Sequence, residues 1–186
     1  EQNLFEVEDN IASVPEIFRL QGAKELELSE DKYLPESFDK TSAVILAASR
    51  GEELGDLTLK KPKAMLDVGG KSVLTRIVDS YNSAGIKKIC IVTGYKPESF
   101  DLPNLNYVRN SKFNETGEVF SLSQALGNLK KIDDLIVSYG DVIFKKFIPL
   151  MLMDSNAGFS IVADSNWQKN FNNQRESWYF DKNKKI

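Results

Sequence analysis

The sequence predicts a three-layer α/β domain with a mostly parallel sheet. Short apolar segments rich in valine and isoleucine alternate with longer amphipathic segments from residue 43 to residue 163. Small or polar residues follow most of the apolar segments directly. Such alternation is typical of βαβ units, whose right-handed crossovers bring the carboxyl ends of all strands to one edge. We therefore expect the functional residues to lie at that edge of the sheet.

The predicted strands are short and mostly apolar, as strands buried on both faces of a sheet usually are. They span residues 43–48, 88–93, 106–109, 135–139 and 159–163.

Three helices are predicted between these strands. Residues 72–84 have apolar side chains at helical spacing, with Ser72 placed to cap the first turn and Gly85 to end the helix. The other two helices are predicted over residues 118–129 and 145–153.

The two ends of the chain differ from this pattern. Residues 1–42 are acidic and carry two prolines, so we interpret them as a linker or N-terminal arm, with a short helix near residues 13–21. Residues 43–186 then form the domain, and their last stretch, 169–186, is polar and contains no clear element. The N-terminus lacks a basic–apolar signal pattern and no apolar run is long enough to span a membrane, so a cytoplasmic protein is expected.

Composition limits the chemistry that the domain can perform. The chain has no histidine, which excludes histidine-based catalysis and histidine-ligated zinc. Its single cysteine, Cys90, lies in an apolar segment and suits a reducing compartment. A net charge of −3 gives no general case for nucleic-acid binding. An enzyme of this composition would depend on carboxylates, lysines, hydroxyl groups or a hard metal ion.

The most informative segment is residues 44–66, VILAASRGEELGDLTLKKPKAML. An apolar strand breaks into a loop containing Ser49 and Gly51, and a basic cluster of Lys60, Lys61 and Lys63 follows. Backbone N–H groups of such loops can contact phosphates, and lysines can add positive charge. From the residues alone, a phosphate site and a solvated lysine patch beside an ordinary turn both stay open.

This segment resembles the signature LAAGxGxRLxPLTxxxPKxLLxVxGKP of the nucleotidyltransferase (sugar-nucleotide pyrophosphorylase-like) superfamily. The resemblance covers roughly residues 43–168 and implies a Rossmann-like fold. Superfamily members usually run longer, with a further region of strands and helices, so the resemblance also implies that residues 43–186 are a C-terminally truncated domain. It is closest to the cytidylyltransferase domains fused to phosphoenolpyruvate mutase and to the phosphocholine cytidylyltransferase group, because ASRGEEL replaces AAGxGxR and residues 16–21, EIFRLQ, resemble the end of a phosphoenolpyruvate mutase. Further matching positions are Leu66, Val68, Gly70, Lys71, Thr93, Gly94, Tyr95, Asn110, Ser121, Leu122, Gly140 and Asp141.

The resemblance implies roles for particular residues. Asp141 would bind Mg²⁺, although the residues alone also allow a helix cap there. Lys63 would be a catalytic cation that contacts phosphoryl oxygens. From the residues themselves, Arg50 is the cation of the first loop and the second catalytic candidate. Asp164 could pair with an amine of the acceptor and Trp167 could stack on its ammonium group, while packing in the core stays open for Trp167. The expected nucleotide-binding residues are Leu46, Ala47, Ala48, Ser49, Gly51, Thr93, Gly94, Tyr95, Asn110, Thr116 and Ser121.

The first loop departs from the superfamily pattern. Glu53 stands where the signature has arginine, Asp56 where it has proline, and Ser49 where it has the first glycine. One hypothesis is a rewired loop, in which Arg50 supplies the charge and Glu53 accepts backbone N–H bonds or binds a second metal. The other is a degenerate copy.

The function implied by the resemblance is transfer of CMP from CTP, or another NTP, to a small phosphonate or phosphoester with release of pyrophosphate. 2-Aminoethylphosphonate and phosphocholine are the leading acceptors. The alternatives are a sugar-1-phosphate nucleotidyltransferase and a non-catalytic nucleotide-binding module of a bifunctional phosphonate-pathway protein. Expected partners are a fused or paired phosphoenolpyruvate mutase and a second copy in a homodimer, with no nucleic acid and no membrane.

Overall fold

The computed structural model describes residues 40–129, 132–155 and 157–162. The described residues up to Ser160 belong to one compact unit. The predicted N-terminal helix and most of the predicted arm lie outside the described residues, as do Asp164, Trp167 and the polar C-terminal stretch.

The sheet is parallel, which confirms the prediction. The described strands are β1 Thr41–Ala47, β2 Asp67–Val68, β3 Lys71–Ser72, β4 Lys88–Thr93, β5 Asn106–Arg109 and β6 Asp134–Tyr139. Four of them form the sheet in the order β5–β4–β1–β6, so β1 lies inside with a neighbour on each side. Strands β2 and β3 form a separate small antiparallel hairpin.

Among the described residues there are three α-helices, with short 3₁₀ helices at Glu52–Thr58, Lys63–Met65 and Pro97–Ser99. The α-helices are α1 Val73–Ser83, α2 Glu118–Leu126 and α3 Phe147–Asp154.

The ends of α1 follow the sequence signals closely. The Ser72 hydroxyl accepts the Thr75 N–H at 3.1 Å, as an N-cap should. At the other end Gly85 has a φ of 85°, and its N–H donates to the Asn82 carbonyl. The Ile86 N–H donates to the Tyr81 carbonyl, which completes a Schellman motif.

The structure corrects two helix boundaries, one strand boundary and one whole strand. Strand β1 covers Thr41–Ala47 and not residues 43–48, so the last two residues of the predicted arm belong to the sheet, where they pair with β4 and β6. Helix α2 ends at Leu126 and not at residue 129, because the chain tightens after Gly127 and the Asn128 N–H returns to the Ala125 carbonyl. Helix α3 begins at Phe147 and not at residue 145, which places Pro149 in the first turn, where a missing N–H costs little. Residues 159–162 form no strand, because they pair with no other strand in the part of the chain that the structure describes.

The core has two parts, one on each face of the sheet. Alternate residues of β1 divide between them: Ile45 packs with Ile77 and Tyr81 of α1, and Val44 packs with Ala125 of α2. This arrangement confirms the three layers. Cys90 lies in the second part and is fully buried, and burial raises the pKa of its thiol to about 11, so it behaves as a small hydrophobe.

The exits of β1, β4 and β6 meet at one edge. The Gly140 N–H donates to the Leu46 carbonyl at 2.8 Å, and the Tyr95 N–H donates to the Ala48 carbonyl at the same distance. A Cβ atom on Gly140 would lie 2.8 Å from the Ala47 Cβ, and one on Gly94 would lie 2.6 Å from the Ala48 carbonyl oxygen. The three strand exits are therefore packed without room for a side chain at either glycine.

We expect Gly140→Ala to lower the free energy of unfolding by about 1–3 kcal/mol, because the added methyl group must push apart the ends of β1 and β6. Urea unfolding measures this loss. The matched control is Gly158→Ala, whose added methyl group meets nothing within 4 Å and should change stability by less than about 0.5 kcal/mol. Equal effects at the two positions would contradict the close approach.

Candidate functional site

The segment after β1 folds back on itself. Gly51 has a φ of 82°, and a Cβ atom there would lie 2.8 Å from both Cβ and Cδ of Lys63. The Lys63 N–H donates to the Arg50 carbonyl at 3.0 Å. Thr58 is fully buried, and its hydroxyl lies 3.0 Å from the Gly51 carbonyl oxygen and 3.2 Å from the Gly55 carbonyl oxygen. Glycine is required at Gly51, because the loop and the stem of Lys63 are in contact there.

The ammonium group of Lys63 lies between two carboxylates. Its Nζ is 2.8 Å from Oδ2 of Asp141 and 3.6 Å from Oε1 of Glu53. The side chains of Lys63 and Asp141 are 21% and 29% exposed, whereas that of Glu53 is 49% exposed. The structure thus brings together the predicted phosphate-binding lysine and the predicted metal-binding aspartate, and it adds Glu53 as a third member.

Asp141 does not cap a helix. Helix α3 begins only at Phe147, and its first turn has no side-chain cap. The segment after Asp141 is instead attached to α1: the Ser80 hydroxyl donates to the Phe144 carbonyl at 2.6 Å, and the rings of Tyr81 and Phe144 meet edge to face at 5.2 Å. These contacts hold the segment that follows Asp141, and the cap interpretation is wrong.

The carboxylates of Asp141 and Glu53 are oxygen donors of the kind that Mg²⁺ prefers. The described residues hold no group of three or more acidic, cysteine or histidine side chains that would enclose a metal. Mg²⁺ commonly keeps several waters and takes only one or two carboxylates together with substrate phosphates. The residues present therefore fit a metal delivered with a nucleotide better than a permanently enclosed ion.

Tyr95 connects three loops at this edge. Its hydroxyl donates to the Leu59 carbonyl at 2.9 Å, and its ring meets Phe113 edge to face. The guanidinium carbon of Arg50 lies 5.8 Å from the ring centroid, within range of a cation–π interaction. Among the described residues Arg50 Nε is buried without a hydrogen-bond partner, so the guanidinium group keeps an unused donor.

Asn110, Thr116 and Ser121 form one buried hydrogen-bond network. The Asn110 amide nitrogen donates to the hydroxyls of Thr116 and Ser121 at 3.0 Å each, and its carbonyl oxygen accepts the Lys112 N–H at 2.9 Å. The Asn110 N–H also donates to the Thr93 carbonyl. These hydrogen bonds satisfy the polar atoms of the Asn110 side chain and stabilise the connection from β5 to α2. Direct contact of these residues with a nucleotide stays a prediction.

The other predicted nucleotide-binding residues lie at the same edge. Thr93, Ala47 and Ala48 are buried, and the carbonyls of Leu46 and Ala48 are taken by backbone N–H groups. Ser49 is exposed on the loop. Asp164 and Trp167 lie outside the described residues, so their predicted acceptor contacts are untested.

Lys71, another match to the signature, forms an ion pair with Asp79 of α1. Its Nζ lies 2.7 Å from Oδ2 of Asp79, and both side chains are about half exposed. Arg76 donates to the carbonyls of Val68 and Gly69 nearby. Lys71 therefore helps to attach the β2–β3 hairpin to α1.

Two features of the site were not predicted from the sequence. The position of Thr58 matches the threonine of the signature and could have indicated its buried role. The contact of Ser80 with Phe144 joins residues 64 positions apart and has no local signal.

Comparison with known proteins identifies the family. The family described as MobA-like NTP transferase domain matches residues 43–167, a range that includes Lys63, Asp141 and the Asn110 network. The chain belongs to this family. The resemblance stated from the sequence is therefore confirmed, and so is the Rossmann-like nucleotidyltransferase fold.

This transferase domain has relatives that are named for cytidylyl transfer. It is 30% identical over 139 residues to CTP:phosphoglutamine cytidylyltransferase of Campylobacter jejuni. The matched region covers 69% of this chain and 54% of that relative. It is 29% identical over 98 residues to 2-aminoethylphosphonate cytidylyltransferase of Lancefieldella rimae, and this match covers 50% of this chain and 40% of that relative.

A solved structure of a cytidylyltransferase is also similar to this chain. The CTP:phosphocholine cytidylyltransferase of Streptococcus pneumoniae superposes with a TM-score of 0.51 at 27% identity, over 58% of this chain and 50% of that one. The transferase domain thus spans about half the length of these proteins. No helix in the described ranges is both long and apolar enough to cross a membrane.

We expect Asn110→Ala to lower the free energy of unfolding by about 2 kcal/mol, because it removes a buried amide that holds the Lys112 N–H and the Thr116 hydroxyl and leaves the buried Ser121 hydroxyl without this partner. Thermal and urea unfolding measure the change. Asn128→Ala removes an exposed amide that donates only to the Gln124 carbonyl, and it should be nearly neutral. A neutral Asn110→Ala would show that the network contributes nothing.

Proposed function

We propose that this domain transfers CMP from CTP to a small phosphonate or phosphoester and releases pyrophosphate. The observation that carries the proposal is the Lys63–Asp141 pair at the carboxyl edge of the sheet of an NTP transferase domain. The relatives named above support CTP as the donor and a phosphorylated small molecule as the acceptor, because their names share these two features.

The reaction needs no general base. The acceptor oxygen of a phosphonate or phosphate is ionised at neutral pH, so it can attack the α-phosphorus of CTP directly. A bond forms between this oxygen and the α-phosphorus, and the bond from the α-phosphorus to the bridging oxygen breaks as pyrophosphate leaves. A chain without histidine is suited to this chemistry, because positioning and charge neutralisation supply the catalysis.

Each charged residue then has a definite task. Lys63 neutralises phosphoryl oxygens, and its stem is held against Gly51 so that the ammonium group stays at the strand exits. Arg50 offers a second cation on the same loop. Asp141 would hold Mg²⁺, which neutralises triphosphate charge when bound.

The acceptor proposal rests on the sequence. 2-Aminoethylphosphonate and phosphocholine carry an ammonium group, which an acid such as Asp164 and an aromatic ring such as Trp167 can recognise. We also propose a cytoplasmic protein fused to or paired with a phosphoenolpyruvate mutase, because residues 16–21 resemble the end of that enzyme.

A panel of pyrophosphate-release assays tests the function. CTP, UTP, GTP and dTTP are each combined with 2-aminoethylphosphonate, phosphocholine and glucose 1-phosphate in the presence of Mg²⁺. Turnover with CTP and one of the first two acceptors is expected. Turnover with glucose 1-phosphate alone would favour a sugar-1-phosphate nucleotidyltransferase, and nucleotide binding without any turnover would favour a non-catalytic module.

We expect Lys63→Ala to lower turnover by about a hundredfold, because it removes a charged contact to the transition state. Lys60→Ala is the matched control, since Lys60 is an exposed lysine of the same basic cluster. Steady-state kinetics with CTP measure both variants. Small and equal effects would mean that the cluster is only a solvated patch.

Asp141→Asn should abolish Mg²⁺-dependent turnover and leave the fold intact, because one charge is lost from the site with little change in shape. Pyrophosphate release and circular dichroism measure the two properties. Near-normal activity would refute the assignment of the metal to Asp141.

A further inference from the structure

The charge arrangement around Lys63 carries a consequence for metal binding. In the structure the ammonium group of Lys63 already pairs with Asp141, since Nζ lies 2.8 Å from Oδ2, one of the two carboxylate oxygens. A divalent cation on the same carboxylate would face that ammonium group at close range, and two cations repel. Lys63 and a metal ion therefore compete for Asp141.

The backbone of Lys63 cannot move away to relieve this competition. Its N–H is bonded to the Arg50 carbonyl, Pro62 precedes it, and its stem lies against Gly51, where even a methyl group would not fit. Only the outer end of the side chain is free to turn. The ammonium group must therefore find its next partner within reach of the same site.

Glu53 offers that partner. Its Oε1 lies 3.6 Å from Nζ of Lys63, a longer and more exposed contact than that of Asp141. Its place in the chain is the position where the superfamily signature has arginine, so an acid here replaces a cation beside the lysine. At this distance the Glu53 carboxylate attracts the Lys63 ammonium group more weakly than Asp141 does. A phosphate can therefore take over the ammonium group more easily from Glu53 than from Asp141.

We propose that Lys63 is the resident counter-ion of Asp141 in the nucleotide-free protein, and that Glu53 is a positioning residue that keeps the ammonium group in the site when a divalent cation displaces it. The inference rests on the proposed metal site at Asp141. Free divalent cations then bind weakly, and binding becomes tight when a phosphate takes up the displaced lysine. Glu53 acts through Lys63 and does not ligate the metal.

Mn²⁺ binding to the nucleotide-free protein tests the first part, with free Mn²⁺ measured by electron paramagnetic resonance at fixed ionic strength. Lys63→Met keeps most of the side-chain length and removes the charge, and it should tighten Mn²⁺ binding roughly fivefold. Lys60→Met makes the same change in net charge on an exposed lysine and should have little effect. Unchanged or weaker binding in Lys63→Met relative to Lys60→Met, or no Mn²⁺ binding in any variant, would overturn the proposal.

A double-mutant cycle tests the role of Glu53. In the wild-type background Glu53→Gln should weaken Mn²⁺ binding, because Asp141 is then the one carboxylate that the described residues place beside Lys63. In the Lys63→Met background the same substitution should have a clearly smaller effect, since only the loss of a nearby negative charge remains. Equal weakening in both backgrounds would show that Glu53 acts on the metal directly, by ligation or by its charge, and would overturn its role through Lys63. No effect in the wild-type background would show that Glu53 does not position Lys63. Circular dichroism confirms that each variant is folded.

These measurements use no nucleotide and no acceptor, so they separate this inference from the proposed reaction. If Lys63→Met tightens Mn²⁺ binding and the assay panel shows no turnover, the inference stands and the proposed function fails. If CMP transfer occurs and Lys63→Met does not tighten Mn²⁺ binding, the function stands and the inference fails.

Discussion

The close packing of the exits of β1, β4 and β6 is the constraint on which the rest of the structure depends. Strand β1 pairs with β4 over Ser42–Ala47 and with β6 over Thr41–Leu46. Beyond the last pairs, backbone hydrogen bonds from Tyr95 and Gly140 continue the connection into the loops. Because Gly94 and Gly140 carry no side chain, the loops can approach one another closely enough to form a single site.

The polar groups at this edge divide into two kinds. The Asn110 network is buried and its groups satisfy one another, so it fixes the shape of the β5–α2 connection. The Lys63, Asp141 and Glu53 cluster is partly exposed, and its members satisfy one another only by ion pairs that a ligand can replace. A rigid frame therefore surrounds charges that remain available for exchange, which is what binding a metal and a nucleotide requires.

Glu53 illustrates how one substitution in a signature changes the electrostatics of a site. In the sequence it stands in place of an arginine and suggests either a rewired or a degenerate loop. In the structure its carboxylate faces the lysine of the same loop. The contact is an ion pair, a role beside the backbone N–H bonds and the second metal considered from the sequence, and the choice between a rewired and a degenerate loop stays a prediction. The loop keeps a positive charge although the signature arginine is absent, because Arg50 lies beside Tyr95 three positions earlier in the chain.

The sequence by itself determined the layered α/β fold, the four strands of the parallel sheet and both ends of α1, because strand periodicity, an N-cap serine and a C-terminal glycine are local properties. It also placed Lys63 and Asp141 at strand exits and so at one edge. Only the tertiary structure decided that these two residues touch, that Glu53 joins them and that Ser80 fixes the segment after Asp141. It also decided that residues 159–162 form no strand, since pairing depends on a neighbour and not on composition. Contacts between residues far apart in the chain depend on loop geometry and packing, which a single sequence does not encode in any local pattern.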